Sequence, residues 1–136
     1  GTGLEQLSVA GSGEIHADAL SQPELSVDIS GSGYLSVDQL EGERLIANVS
    51  GSGDFDMTGQ VVEQSIDVSG SGEFDGADLQ SERADVSISG SGDVIVWAEE
   101  ALDVDISGSG TVSYYGSPAI NQRTSGSGEI NNLGDR

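Results

Sequence analysis

The chain has 136 residues, 24 of them acidic against 4 arginines and no lysine, for a formal net charge of -20 at pH 7. A field of that sign repels nucleic acid and anionic lipid surfaces and makes both poor partners, and the absence of cysteine excludes disulfides and thiol chemistry. Hydrophobic residues make up 35% and aromatic ones 4%, too few to fill a broad globular centre but enough for a narrow stack of small aliphatic side chains.

The chain starts abruptly at Gly1-Thr2-Gly3 with no signal peptide, as expected of a mature domain or a trimmed piece of one. No apolar run exceeds a few residues, so no membrane insertion is expected. From there one motif organises everything. Gly-Ser-Gly triplets begin at Gly11, Gly31, Gly51, Gly70, Gly90, Gly108 and Gly126, with spacings of 20, 20, 19, 20, 18 and 18 residues. A fixed period in this range is the mark of stacked repeats.

Alignment on the first glycine brings out columns. Two residues before it stand Val9, Ile29, Val49, Val68, Ile88, Ile106 and Thr124; four before it, Leu7, Val27, Ala47, Ile66, Val86, Val104 and Gln122. Four after it stand Ile15, Leu35, Phe55, Phe74, Val94, Val112 and Ile130. Apolar residues at every second position, rich in β-branched types, predict a half-buried strand on each side of every triplet. No stretch shows helical periodicity. Like residues at like positions, once per turn, predict an all-β parallel solenoid of about seven coils with 18–20 residues each.

The triplets predict tight corners, where glycine supplies positive φ and close backbone approach; a valine at Gly53 is expected to destabilise by more than ~1 kcal/mol. The serines ahead of six triplets (Ser30, Ser50, Ser69, Ser89, Ser107, Ser125) are expected to hydrogen-bond corner amides. Gln22-Pro23-Glu24 and Glu41-Gly42-Glu43 read as surface bends, with Leu20, Leu40 and Leu79 in comparable places. The last columns turn polar at Gln122 and Thr124, as a capping coil would. A single domain over 1–130 and a frayed tail over 131–136 complete the expected organisation.

The stretch DISGSGTVSYYGSPAINQRTSGSGEI, residues 105–130, with the repeated SGSG before it, resembles the head GIN domain family of bacterial cell-surface adhesins. The resemblance covers most of the chain. It is most specific at Gly108-Ser109-Gly110, Tyr114-Tyr115-Gly116, Pro118 and Ser125-Gly126-Ser127-Gly128. It implies a right-handed parallel β-helix, an extracellular or cell-envelope location and no catalytic residues. Family domains open with further strands ahead of the first triplet, which this chain does not display.

Two acidic columns are the candidate metal ligands. Glu14, Asp54, Glu73 and Asp93 lie three residues after the first glycine, with Tyr34 and Thr111 among them; Asp28, Asp67 and Asp105 lie three before it. Carboxylates stacked about 5 Å apart repel unless screened or bridged, and calcium between coils is the cofactor that would bridge them. The competing reading is a solvated acidic face, and the spacing matches neither an EF-hand loop nor the calcium-binding nonapeptide.

Catalytic constellations are scarce. His16 is the only histidine, so a Ser-His-Asp triad would have to use it, and with this many serines and carboxylates such proximity carries little information. The glycine triplets lack the helix and lysine of a phosphate loop. Trp97, Tyr114 and Tyr115 are the candidate ligand-binding residues, suited to stacking on sugar rings; the alternative is that they cover an end of the solenoid. The function expected is a non-catalytic surface module offering a β face to a glycan or protein. A structural spacer or self-assembling homo-oligomer is the alternative, and a glycan-cleaving carboxylate enzyme the third reading.

Overall fold

The computed structural model describes residues 4–135. The described residues form thirteen strands and no helix, and each coil contributes one strand to either side of a Gly-Ser-Gly corner. Ahead of the corners, β1 (Leu4–Gly11), β4 (Glu24–Gly31), β6 (Arg44–Gly51) and β8 (Glu63–Gly70) stack in parallel and in register. This first sheet continues through the second halves of β9 (Glu73–Gly90) and β10 (Asp93–Gly108) to β12 (Ala119–Gly126).

After the corners, β2 (Glu14–Ala17) and β3 (Leu20–Ser21) lie under β5 (Tyr34–Glu41), followed by β7 (Asp54–Gln60). The first halves of β9 and β10, then β11 (Thr111–Tyr115) and β13 (Glu129–Asn132), complete this second sheet. Seven coils at about 4.8 Å spacing give a rod roughly 30 Å tall. The first three coils turn at ordinary bends on the far side. In β9 and β10 the chain rounds that side as continuous strand, with register shifts between Ile95 and Trp97 and between Ala98 and Ala101 absorbing the curvature.

The three apolar columns form the core. Val27, Ile29, Leu35, Val49, Phe55, Ile66, Phe74, Ile88, Val94, Ile106 and Val112 are each at most 2% exposed. Leu20, Leu40 and Leu79 do share a column, but Gly59 stands in it between the last two, with φ +144°. A Cβ there would lie 2.0 Å from the Leu40 carbonyl oxygen, so the backbone has moved into the space of a leucine.

The corners divide the work of the triplet. The first glycine takes positive φ, +115° at Gly51; the third, Gly53, lacks it and instead sits so close over the coil below that a Cβ would be 2.3 Å from Ile29 Cγ2. Corner amides are satisfied by carbonyls of the coil beneath, as in Ser52 N–H to Gly31 O at 2.9 Å and Asp54 N–H to Gly33 O at 3.0 Å. The serines ahead of the triplets therefore do not perform the expected task; their side chains face solvent. The C-terminal segment also differs from the expected fray. Strand β13 runs to Asn132, and beyond it Leu133 N–H donates to Tyr114 O and Gly134 O accepts from Gly116 N–H, each at 2.8 Å. The parallel ladder continues past the last triplet because its backbone donors have a full coil to pair with.

One core position breaks the apolar rule. Gln64 occupies the column of Leu25, Leu45 and Leu102 and is 2% exposed. Its Nε2 donates to Ser81 Oγ at 3.0 Å and Ser81 donates onward to Trp97 O at 2.8 Å, but Gln64 Oε1 has no partner within the protein. A buried orphan acceptor costs about 1–3 kcal/mol. Gln64→Leu removes it while Ser81 keeps its bond to Trp97 O. The variant is expected to gain about 1 kcal/mol, read as a Tm rise of roughly 3 °C; a fall in Tm would mean the Gln64–Ser81 bond outweighs the orphan.

Candidate functional site

Each sheet has an outer face, and the acidic columns fall on different ones. Asp28, Asp67 and Asp105 belong to the first sheet, where register interleaves them with neutral residues: Asp28 lies against Asn48, Asn48 against Asp67, and Ser87 between Asp67 and Asp105. Asn48 Nδ2 donates to Asp28 Oδ1 at 3.0 Å. Carboxylates two coils apart are separated by roughly 9–10 Å, too far to share one ion. Like-charge repulsion in this column is relieved by alternation. On the second sheet Tyr34 separates Glu14 from Asp54, leaving Asp54, Glu73 and Asp93 as the consecutive acidic run.

The first sheet's outer face also carries an ion-pair ladder that the repeat period creates. Arg44, Glu63 and Arg83 are in register, and Glu63 is bracketed by Arg83 Nη2 at 2.9 Å and Arg44 Nη2 at 3.5 Å. The hydrogen bond and charge of Arg83, then Arg44, hold the Glu63 carboxyl below its ordinary range. A groove of about 410 Å³ runs past these residues toward Asp85 and Asp103. Burial, then the charges of Asp103 and Asp105, pushes the Asp85 carboxyl up. The arginines of this groove are already paired with Glu63, which leaves little for an incoming anion.

The outer face of the second sheet is more varied. Near its C-terminal end Trp97 and Tyr115 are register partners on adjacent coils, both half-buried, with Gln80 in register beneath Trp97. Val96 beside Trp97 is fully buried, as alternation requires. Trp97 Nε1 donates to Glu99 Oε1 at 3.0 Å, which fixes the indole plane. Tyr114, grouped with these aromatics in the sequence, points the other way: it is 7% exposed and stacks on Val96 in the core. Next to the pair, a shallow depression of about 300 Å³ is lined by Asp75, Asp93, Ile95, Thr111 and Ser113.

At the N-terminal end of the same face, His16, Ser36, Asp56 and Asp75 form one column. His16 Nδ1 lies 2.6 Å from Ser36 Oγ, and His16 Nε2 lies 3.3 Å from Asp18 Oδ1 and 3.2 Å from Asp38 Oδ2. Tyr34 is hydrogen-bonded to both Ser36 and Asp56. Burial and then the Asp75 charge push the Asp56 carboxyl up, against the pull of the Tyr34 hydrogen bond. Burial and the Asp56 charge likewise raise the Tyr34 phenol. Serine, histidine and aspartate thus do meet. But Ser36 is 5% exposed, packed among the other members of the network, so no substrate carbonyl reaches its hydroxyl. The column position of Ser36 was legible in the sequence; its cover by longer neighbours required three dimensions.

These features define a parallel β-solenoid with open outer strand faces. The family model described as "Putative auto-transporter adhesin, head GIN domain" matches residues 1–118, and the chain belongs to that family. Solved structures agree on the fold. A protein from Parabacteroides distasonis, named as a putative lipid binding protein, has 31% identity and a TM-score of 0.91 over 96% of this chain and 56% of its own. A Bacteroides fragilis protein named as a putative adhesin has 27% identity and a TM-score of 0.89 over 95% of this chain and 60% of its own. One from Parabacteroides merdae, also named as a putative adhesin, has 20% identity and a TM-score of 0.93 over 96% of this chain and 56% of its own. The chain therefore spans somewhat more than half the length of these relatives. No functionally curated protein matches it.

Proposed function

We propose that this chain is a non-catalytic binding module of the bacterial cell surface that lays a neutral or amino-sugar glycan along the outer face of its second sheet. Membership of an adhesin family supports the surface role. The observation that carries the ligand class is the in-register pair Trp97–Tyr115 beside a shallow depression edged by Asp75, Asp93, Thr111 and Ser113. Aromatic rings at the edge of a trough offer flat apolar area to sugar C–H faces, while carboxylates and hydroxyls accept and donate to sugar hydroxyls. The net charge of -20 selects against uronates, sialic acids and sulfated sugars. Calcium bridging by Asp54, Glu73 and Asp93 is an added element of the proposal.

The test is a glycan and matrix-protein array with calcium and again with chelator, repeated with Trp97→Ala and Tyr115→Ala. Selective hits among uncharged or amino sugars are expected. Each substitution is expected to weaken them about tenfold or more, since truncating an aromatic anchor costs roughly 2 kcal/mol or more. Loss of the hits in chelator would support the calcium element. A blank array, or hits indifferent to both substitutions, would overturn the glycan reading in favour of a structural spacer.

A further inference from the structure

Among the described residues, one set of three His, Cys, Asp or Glu side chains brings its ligand atoms within 4.8 Å of one another: His16, Asp18 and Asp38. Its members come from two coils. His16 lies on β2, Asp18 on the bend that follows, and Asp38 on β5 directly above, one residue beyond the register pair Ala17–Val37. We propose that His16 Nε2 and one carboxylate oxygen each from Asp18 and Asp38 form a binding site for a divalent transition-metal cation of the zinc type, clipping the first coil to the second.

Two independent features point to a cation. The first is spacing. A tetrahedral ion with bonds of 2.0–2.1 Å sets its ligand atoms about 3.3–3.4 Å apart. The Nε2–Asp18 and Nε2–Asp38 separations are 3.3 Å and 3.2 Å. Both edges fit before any rearrangement. The second is the support behind the ring. Ser36 Oγ, itself 5% exposed, lies 2.6 Å from His16 Nδ1 and holds the imidazole with Nε2 toward the two carboxylates. A cation held between Nε2 and these carboxylates would offset the repulsion between the two negative charges.

A buried hydroxyl that fixes the ring through its far nitrogen is the support metal-bound histidines ordinarily have. The imidazole nitrogen directs the choice of metal toward zinc, copper or nickel and away from calcium, which takes oxygen ligands. All three side chains are more than half exposed, so the remaining coordination positions are open to water or to a partner's ligand. The surrounding charge of -20 raises the local cation concentration.

The rival arrangement is a plain ion pair in which Nε2 carries a second proton and no metal is held. Calorimetric titration of zinc chloride into chelator-stripped protein separates the two, with calcium chloride run alongside. One zinc per chain is expected. His16→Gln should weaken binding at least about a hundredfold and Ser36→Ala about tenfold, the usual cost of losing a supporting partner. Asp67→Asn, on the outer face of the first sheet, should leave binding unchanged. Because His16 is the only histidine, its ring signals in the NMR spectrum report the site without ambiguity and should shift on zinc and not on calcium. Equal zinc affinity in wild type and His16→Gln, or no zinc uptake at millimolar concentration, would overturn the proposal.

Discussion

Gly51→Val is expected to destabilise the protein by about 3 kcal/mol or more, read as a lowered midpoint in equilibrium denaturant unfolding. Two costs add. At φ +115° an L side chain is strained by roughly 1–3 kcal/mol. The new Cβ would also stand 2.6 Å from the Gly31 carbonyl oxygen and 3.2 Å from its nitrogen, both backbone atoms that cannot swing aside. Relieving that contact means lifting the coil away from its neighbour, breaking the bond from Ser52 N–H to Gly31 O. The first corner supplies the control. Gly11 has φ +81°, but among the described residues nothing lies within 4 Å of where its Cβ would stand. Gly11→Val should therefore show the φ cost alone, about 1–2 kcal/mol. Equal effects at the two sites would mean that stacking contributes nothing to the glycine requirement.

This contrast also shows what a repeat makes legible. The columns at Val9, Leu7 and Ile15 could be read directly, because in a parallel stack sequence period and spatial neighbourhood are the same thing; the strands, corners, coil number and core all follow from it. Features that depend on which residue is unlike its column were harder. Gly59 in a leucine column and Gln64 in another are exceptions whose consequences depend on how neighbours adjust. The Arg44–Glu63–Arg83 ladder is implicit in the period, since the two arginines stand 39 residues, or two coils, apart with Glu63 in the coil between.

The candidate sites follow the same division. The acidic columns were visible, but their distribution over two faces, with Asn48 and Ser87 interrupting one of them, decides that Asp28, Asp67 and Asp105 do not meet. The His16 cluster is not legible in the columns because Asp18 lies on a bend outside the strands. Trp97 and Tyr115 were marked as aromatics without their register. Eighteen residues separate them, which is the local period of the shortened C-terminal coils, so the pairing was present in the sequence as a difference of numbers. Tyr114 was separable from Tyr115 by the same alternation that buries Val96 and exposes Trp97.

Phe74→Ala is the second large effect, expected at about 3–5 kcal/mol. Phe74 is 1% exposed in the fourth coil, and its ring meets Phe55 edge-on, with centroids 5.9 Å apart and planes at 61°. Truncation removes the apolar area, the ring contact and the filling of a narrow interior only two sheets wide. In a stack, each coil is held by its neighbours on both sides, so a void at the fourth coil loosens two interfaces at once. Ile130→Ala, at the equivalent place in the last coil, touches one interface and is partly exposed already, and should cost less than half as much. A double substitution with Phe55→Ala should fall short of the sum by roughly 0.5–1.5 kcal/mol, the worth of an edge-to-face pair. Chemical denaturation of wild type, Phe55→Ala, Phe74→Ala, their double variant and Ile130→Ala checks this. A Phe74→Ala cost no larger than that of Ile130→Ala would mean that the coils are stabilised individually, and the nearest-neighbour account of this solenoid would fail.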